Sequence, residues 1–341
     1  MSSTILSSRK PGYKVALFAT LFAFLVIGLG AFTRLADAGL GCPDWPGCYG
    51  HVLWPQSESD VAAAEQLYPD APVEHDKTWP EMVHRYLAST LGLFIIGLVV
   101  IAVKHRKSLA QPFKLPIFLL AFVILQGAFG AWTVTLKLWP QVVTAHLLGG
   151  FTTFTLLAIL TLRLSGRRFP RFTAMPWINK PIKLAGLSLA AVILQVFLGG
   201  WTTSNYAALA CPDFPKCQTQ WWPSLDFKSA FDFAHPIGPN YQGGQMDIPA
   251  RTAIHLSHRI GAIVVTVLTT LLAMSLFSLG LRRWALLLIG LLAAQVTLGI
   301  SNVVFGLPLL IAVLHNLGGA LLLITTATVN VLLHKKEPAY V

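Results

Sequence analysis

Residues 81–103 read EMVHRYLASTLGLFIIGLVVIAV, a short polar start followed by a long, predominantly apolar run. The apolar part, from Leu87 to Val103, has the composition of a membrane-spanning helix. Glu81 and His84 are three residues apart and therefore share one face of a helix. Titratable side chains at the mouth of a membrane span are costly, so this pair is a candidate functional site.

A second stretch repeats this arrangement. Residues 254–259 read IHLSHR and also open a long apolar run. The His-Arg pair returns as His258-Arg259, whereas His255 takes the place of Glu81. This difference within a similarity predicts two related sites with unequal chemistry.

The composition predicts a membrane protein. Hydrophobic residues make up 55% of the 341 residues and charged residues only 11%, whereas soluble domains carry roughly 25% charged residues. The net charge of +11 does not call for a nucleic-acid partner. With the N-terminus inside, 17 of the 25 Lys and Arg fall in segments expected in the cytoplasm, and 13 of the 14 Asp and Glu fall outside. This distribution follows the positive-inside rule.

Eight apolar runs approach the roughly 20 residues that a bilayer requires. They cover approximately residues 14–34, 82–103, 115–136, 141–163, 182–203, 252–279, 283–305 and 308–333. The segments expected on the cytoplasmic side are basic through Lys104, Arg106, Lys107, Lys114, Arg163, Arg167, Arg168, Arg171, Lys180, Lys183, Arg282, Arg283, Lys335 and Lys336. We therefore expect a multi-pass protein of the cell inner membrane with both termini in the cytoplasm and two long outer loops, at about 35–81 and 204–251.

The chain contains an internal repeat. The motif CPDWPGC at 42–48 returns as CPDFPKC at 211–217, and HLLGG at 146–150 returns as HNLGG at 315–319. The predicted fold class is an all-α polytopic membrane protein of eight transmembrane helices, arranged as two tandem parallel-repeat four-helix bundles. The predicted halves are residues 1–165 and 166–341.

All four cysteines fall in the long loops expected on the oxidising outer side. Four cysteines allow three pairings, and the short spacing and the repeat favour Cys42–Cys48 and Cys211–Cys217. Structural disulfides and a redox relay are both compatible with this pattern.

Each half places two histidines on its second and fourth spans, His84 with His146 and His258 with His315. Two imidazoles opposed across a bundle suit the axial ligation of a haem iron. Ordinary packing of single histidines remains an alternative. Zinc is a weaker alternative, because each half offers only two candidate ligands.

The charged neighbours of these histidines are further candidate site residues. Arg85 and Arg259 lie beside predicted ligands, near the aqueous edge, where they are candidates to bind haem propionates. Glu81 is a candidate to accept or deliver protons during an oxidation. The alternative for Glu81 is a helix N-cap or a first-turn acid that favours the helix dipole.

Nearly the whole chain resembles the haem A synthase family. The resemblance rests on GLGCPDWP-x-C at 39–48, Glu81-x-x-His84-Arg85, His146, His258-Arg259 and His315 within the eight-span plan. It implies oxidation of the C8 methyl group of haem O to a formyl group, which gives haem A for cytochrome oxidase. It also implies haem B as cofactor between the axial ligands His258 and His315, and haem O as substrate between His84 and His146.

The resemblance further implies that Glu81 is the catalytic acidic residue. Cys42 and Cys48 match a pair that supports activity in some members. The partners expected are haem O, the lipid bilayer, a haem O synthase, a membrane electron acceptor and further copies of the chain. Two other functions remain open, a dihaem b-type electron-transfer cytochrome and a haem transporter built from parallel repeats.

Overall fold

The computed structural model describes residues 9–108, 111–166 and 178–334. Within these ranges the chain forms ten α-helices and no β-strand, which confirms the all-helical prediction. The helices are α1 (Tyr13–Leu35), α2 (Glu58–Leu67), α3 (His75–Lys104), α4 (Lys114–Thr135), α5 (Pro140–Leu164), α6 (Asn179–Ser204), α7 (Phe227–Ala230), α8 (Ile248–Ser278), α9 (Arg282–Val304) and α10 (Leu309–Leu333). The predicted basic residues Arg167, Arg168, Arg171, Lys335 and Lys336 lie outside the described residues.

Eight of these helices are long and apolar enough to cross a membrane, namely all except α2 and α7. The predicted spans agree with them to within a few residues at most ends. The exceptions are α3, which begins at His75 rather than near residue 82, and α8, which begins at Ile248 rather than near 252. Glu81 is therefore the seventh residue of α3, and the N-cap is Glu74. The N-cap and first-turn interpretation of Glu81 is wrong.

Four helices form the centre of the bundle. Helices α1, α5, α6 and α10 pack on one another, while α3 and α4 flank them on one side and α8 and α9 on the other. One core of buried apolar side chains includes residues from both predicted halves, such as Leu157 of α5 and Leu272 of α8. The boundary between the halves near residue 165 stays a prediction.

One end of the bundle carries both disulfide loops, at residues 36–74 and 205–247, and we refer to it as the cysteine face. Here the two loops are joined by side-chain contacts. The Arg34 guanidinium donates to the carbonyl of Thr203 at 2.7 Å and lies over the ring of Tyr206. The Tyr206 hydroxyl donates in turn to the Asp37 carboxylate at 2.6 Å. These contacts fix the ends of α1 and α6 against each other.

Helix α1 separates small and large residues onto two faces. Ala16, Ala19 and Ala23 are buried against the neighbouring helices, whereas Leu21 and Leu25 are more than half exposed on the outer surface of the bundle. In a membrane, helices associate largely through close packing of such small residues, because lipid is as apolar as leucine.

Replacing Ala19 by Leu should therefore overpack the centre of the bundle and destabilise the protein by about 1–3 kcal/mol. The matched control is Leu21→Ala, which removes side-chain volume on the exposed face of the same helix and should change stability much less. Thermal unfolding of both variants in detergent checks this. Equal destabilisation by the two changes would contradict the assignment of the faces.

Candidate functional site

The four predicted histidine ligands all lie near the cysteine face. His84 is the tenth residue of α3 and His258 the eleventh of α8. His146 and His315 are the seventh residues of α5 and α10. All four side chains are partly buried. The structure thus places each pair at a similar depth in its helices.

Each imidazole lies against a glycine of a neighbouring helix. A Cβ atom at these glycines would come within 2.7–3.2 Å of the Cε1 atom of the ring, which is closer than ordinary packing permits. The pairs are Gly30 with His84, Gly130 with His146, Gly199 with His258 and Gly299 with His315. The absence of side chains at these glycines is therefore what makes room for the four rings.

Three of the imidazoles also meet a glutamine, one helical turn before that glycine. The amide Nε2 of Gln126 lies 3.1 Å from Nδ1 of His146, and that of Gln195 lies 3.1 Å from Nδ1 of His258. The amide Nε2 of Gln295 lies 3.4 Å from a ring nitrogen of His315. Each glutamine also donates to the main-chain carbonyl of its histidine, at 2.6–2.9 Å.

The rings of His258 and His315 are 6.4 Å apart between centroids and nearly perpendicular. Two imidazoles that bind one metal from opposite sides, at about 2 Å per nitrogen, place their centroids roughly 6 Å apart. This spacing fits bis-imidazole ligation of a haem iron. Across the described ranges, no group of three or more His, Cys, Asp or Glu side chains comes together as a metal site. A four-ligand zinc site is therefore not supported there.

Glu81 is buried, with 5% of its surface exposed. One carboxylate oxygen accepts from the main-chain N–H of Cys42 at 3.0 Å, and the other pairs with the Arg85 guanidinium. The corresponding His255 is equally buried, and its Nδ1 lies 3.0 Å from the carbonyl oxygen of Ala207. The two sites therefore differ in one buried group, a carboxylate against an imidazole.

Both predicted disulfides, Cys42–Cys48 and Cys211–Cys217, are present, which confirms the pairing. Each disulfide loop contains an aspartate whose carboxylate accepts hydrogen bonds from main-chain N–H groups of the same loop. Asp44 accepts from the main-chain N–H groups of Tyr49 and Gly50, and Asp213 accepts from those of Gln218 and Thr219.

The two arginines bind these loops. The Arg85 guanidinium donates to the carbonyls of Asp44, Pro46 and Gly47, and the Arg259 guanidinium donates to those of Cys211, Asp213, Pro215 and Lys216. Each loop is thereby attached to the helix that carries the histidine. Whether the arginines also contact haem propionates stays a prediction.

The first disulfide loop closes over a small cluster of buried side chains that includes Tyr49 and Met82. Burial of the Tyr49 phenol, reinforced by the nearby carboxylates of Glu74 and Glu81, raises its pKa to about 12. The phenol therefore stays protonated in the ordinary pH range and donates to the carbonyl of Pro72 at 3.0 Å.

Comparison with known proteins gives the same assignment as the motifs. Residues 13–327 match the family described as cytochrome oxidase assembly protein. The protein named heme A synthase from Shewanella oneidensis is 48% identical over 318 residues, which cover 93% of this chain and 95% of that protein. The chain belongs to the haem A synthase family.

Less similar members extend this relationship. The heme A synthase of Sphingopyxis alaskensis is 27% identical over 90% of this chain and 87% of its own length. The heme A synthase of Halalkalibacterium halodurans is 24% identical over 94% of this chain and 97% of its own length. The family resemblance therefore covers the whole bundle rather than one half of it.

Sequence reasoning missed some of the residues that surround the histidines. Gln195 and the four glycines that face the rings carry no local motif. The glycines do recur at a fixed interval, since Gly30 and Gly199, and likewise Gly130 and Gly299, are separated by 169 residues, as are Cys42 and Cys211. Applying that interval along the whole chain finds the glycines, but not Gln195.

The bond from the Cys42 amide to Glu81 gives a direct test of this geometry. Glu81→Ala leaves the Cys42 amide without its acceptor, a loss of about 1–3 kcal/mol. Hydrogen exchange at that amide should therefore speed up about five- to 150-fold. Glu81→Gln retains an acceptor oxygen and should leave the exchange much slower than in the alanine variant. Hydrogen exchange resolved at residue 42 measures both, and equal rates in the two variants would contradict the contact.

Proposed function

We propose that this chain oxidises the C8 methyl group of haem O to a formyl group and so produces haem A. Conversion of a methyl group and one water into a formyl group releases four electrons and four protons. The observation that carries the proposal is the asymmetry between two otherwise matched histidine pairs. Only the pair on α3 and α5 has a buried carboxylate one helical turn from a histidine. Membership of the haem A synthase family supplies the substrate class.

In this proposal His258 and His315 hold haem B as the cofactor. The spacing of their rings and the glycines behind them support this assignment. A bis-imidazole haem supplies one-electron transfer. The glutamines at positions 195 and 295 hold the two imidazoles, so this chain contributes a preorganised pair of ligands.

His84 and His146 hold the substrate haem in the other half. Glu81 lies one turn before His84 on the same face of α3, where its carboxylate can accept a proton released from the methyl group. Arg85 and the N–H of Cys42 fix the orientation of that carboxylate. The disulfide loop over Glu81 excludes water from this corner of the bundle.

The cysteine face belongs on the outer side of the cell inner membrane in this proposal. The acidic residues, the disulfides and the basic connectors at the opposite end support that orientation. Electrons leave to a membrane electron acceptor, and haem O arrives from a haem O synthase. Further copies of the chain can assemble with it in the same bilayer.

A dihaem b-type electron carrier is the second candidate, because two histidine pairs alone would serve it. The buried Glu81, opposite His255 at the equivalent position, favours the enzyme, since a pure electron carrier gains nothing from a carboxylate in one half. A haem transporter is less favoured, because the described spans run without a break through the bundle.

Co-expression with a haem O-producing farnesyltransferase tests the proposed reaction. The haems are extracted from the purified protein and from the membranes and separated by chromatography. Appearance of haem A, dependent on this chain, is the expected result. An intact, haem-loaded protein that leaves only haem B and haem O would refute the proposal.

Glu81→Ala should lower haem A formation by about 10²–10⁴-fold, the usual contribution of a positioned acid or base. Haem O or a hydroxylated intermediate should accumulate, while the absorption spectrum of haem B persists. His255→Ala is the matched control in the other half, and it should leave the conversion much less affected. Normal haem A formation by Glu81→Ala would make the carboxylate structural.

A further inference from the structure

Three of the four histidines contact a glutamine, and His84 does not. Gln126, Gln195 and Gln295 each contact a histidine from the helix that carries the facing glycine. The equivalent position on α1, which is 169 residues before Gln195, is Val26. His84 is therefore the one histidine of the four without a glutamine.

Each glutamine amide also needs a second glycine, which leaves room for its oxygen atom. This glycine lies three residues after the histidine on the histidine's own helix, and a Cβ there would overlap the glutamine amide oxygen. These glycines are Gly149, Gly261 and Gly318. The space that the missing side chain leaves is thus occupied by the glutamine amide.

At the His84 site both the glutamine and the second glycine are absent. Three residues after His84 stands Leu87 rather than glycine. Val26 belongs to the main apolar core, and Leu87 packs against that same core. Where the other three sites have an amide and a glycine, this site has two branched apolar side chains, neither of which offers a polar group.

The His84 ring shows the consequence of this replacement. No side-chain amide contacts this ring: its Nδ1 is buried without a side-chain partner, and the ring meets the main-chain carbonyl of Val26 instead. Nδ1 of His315 also lacks a partner, but the Gln295 amide lies 3.4 Å from its other nitrogen.

Each glutamine amide is anchored on the main-chain carbonyl of its histidine and lies against the ring, so it limits rotation of the imidazole. Residues that orient a metal-binding imidazole strengthen its hold on the metal. The pair His258 and His315 has a glutamine at both rings, whereas the pair His84 and His146 has one only at His146. A resident cofactor requires two firmly held ligands. A substrate haem that enters and leaves requires at least one ligand that releases.

We propose that Val26 and Leu87 make His84 the exchangeable axial ligand of the substrate haem. Release breaks the bond between iron and the imidazole nitrogen, and the electron pair stays on that nitrogen. Val26 and Leu87 act through His84, and Gln126, Gln195 and Gln295 are positioning residues for the other three histidines. This inference rests on the proposed function, because it takes the haem between His84 and His146 to be the substrate.

The test gives His84 the surroundings of His258, and His258 the surroundings of His84. Val26→Gln with Leu87→Gly gives His84 the amide and the glycine that the other histidines have. Gln195→Val with Gly261→Leu makes the opposite change at His258. Leu87→Gly alone is the control for a cavity without an amide.

The purified, haem-loaded proteins are mixed with excess serum albumin as a haem acceptor. The haem that remains bound is followed by chromatography, which separates farnesylated haems from haem B. In the wild-type protein the farnesylated haem should leave faster than haem B. The first double variant should slow its release about 10- to 100-fold, the usual effect of such a partner on metal affinity, and leave haem B unchanged.

The opposite double variant should accelerate the loss of haem B by a similar factor, so the inference is testable even where the first variant does not fold. Equal release of farnesylated haem from the wild-type protein and the first variant would overturn it. So would a slowing by Leu87→Gly alone. A chain that binds haem O at His84 and His146 with these release rates but never converts it would refute the proposed reaction alone, because the inference needs only the binding of haem O at this pair.

Discussion

The four imidazoles impose the main constraint on this structure, because they lie within membrane-spanning helices where water is scarce. A polar group in such surroundings must find a partner inside the bundle or lose several kcal/mol. Here a glycine on one helix admits each ring, and at three sites a glutamine on the same helix contacts it. The close approach of α1 to α3, α4 to α5, α6 to α8 and α9 to α10 follows from these contacts.

The cysteine face adds a second layer of constraint around the same histidines. Each disulfide loop is held by an internal aspartate and by the arginine that follows His84 or His258. In the first loop this attachment includes Glu81, through the N–H of Cys42. The arginine therefore connects each disulfide loop to the helix that carries the histidine, so a displacement of the loop would also displace that helix.

The equivalent positions make the chain its own control. What recurs is the set of residues that holds the imidazoles, after 169 residues on the first, third and fourth spans of each half and after 174 on the second. The departures from this repeat lie around His84. Glu81 stands where His255 does, Val26 stands where Gln195 does, and the glycine after the histidine becomes Leu87. Three differences at one histidine are hard to reconcile with two sites of equal function.

Much of the fold could be predicted from the sequence, because apolar runs of membrane length are a strong signal. The start of α3 could not, since residues 75–80 are polar and contain Pro80, yet they continue the helix. Helix α2 was also missed, although Ser57 and Asp60 form a capping box at its start.

The histidines and Glu81 could be named from spacing and repetition alone. Their partners could not, because a glycine or a glutamine has meaning only once the facing helix is known. The sequence shows Gln126 and Gln295 as repeated residues. It does not indicate that they contact His146 and His315.

The central claim is the division of labour between the two histidine pairs, and haem content measures it directly. The protein is purified from cells that make both haem B and haem O, in one variant with His84 and His146 replaced by Ala and in another with His258 and His315 replaced. The account predicts that the first variant keeps haem B and loses farnesylated haem, and that the second keeps farnesylated haem and loses haem B. Loss of the same haem from both variants would contradict it.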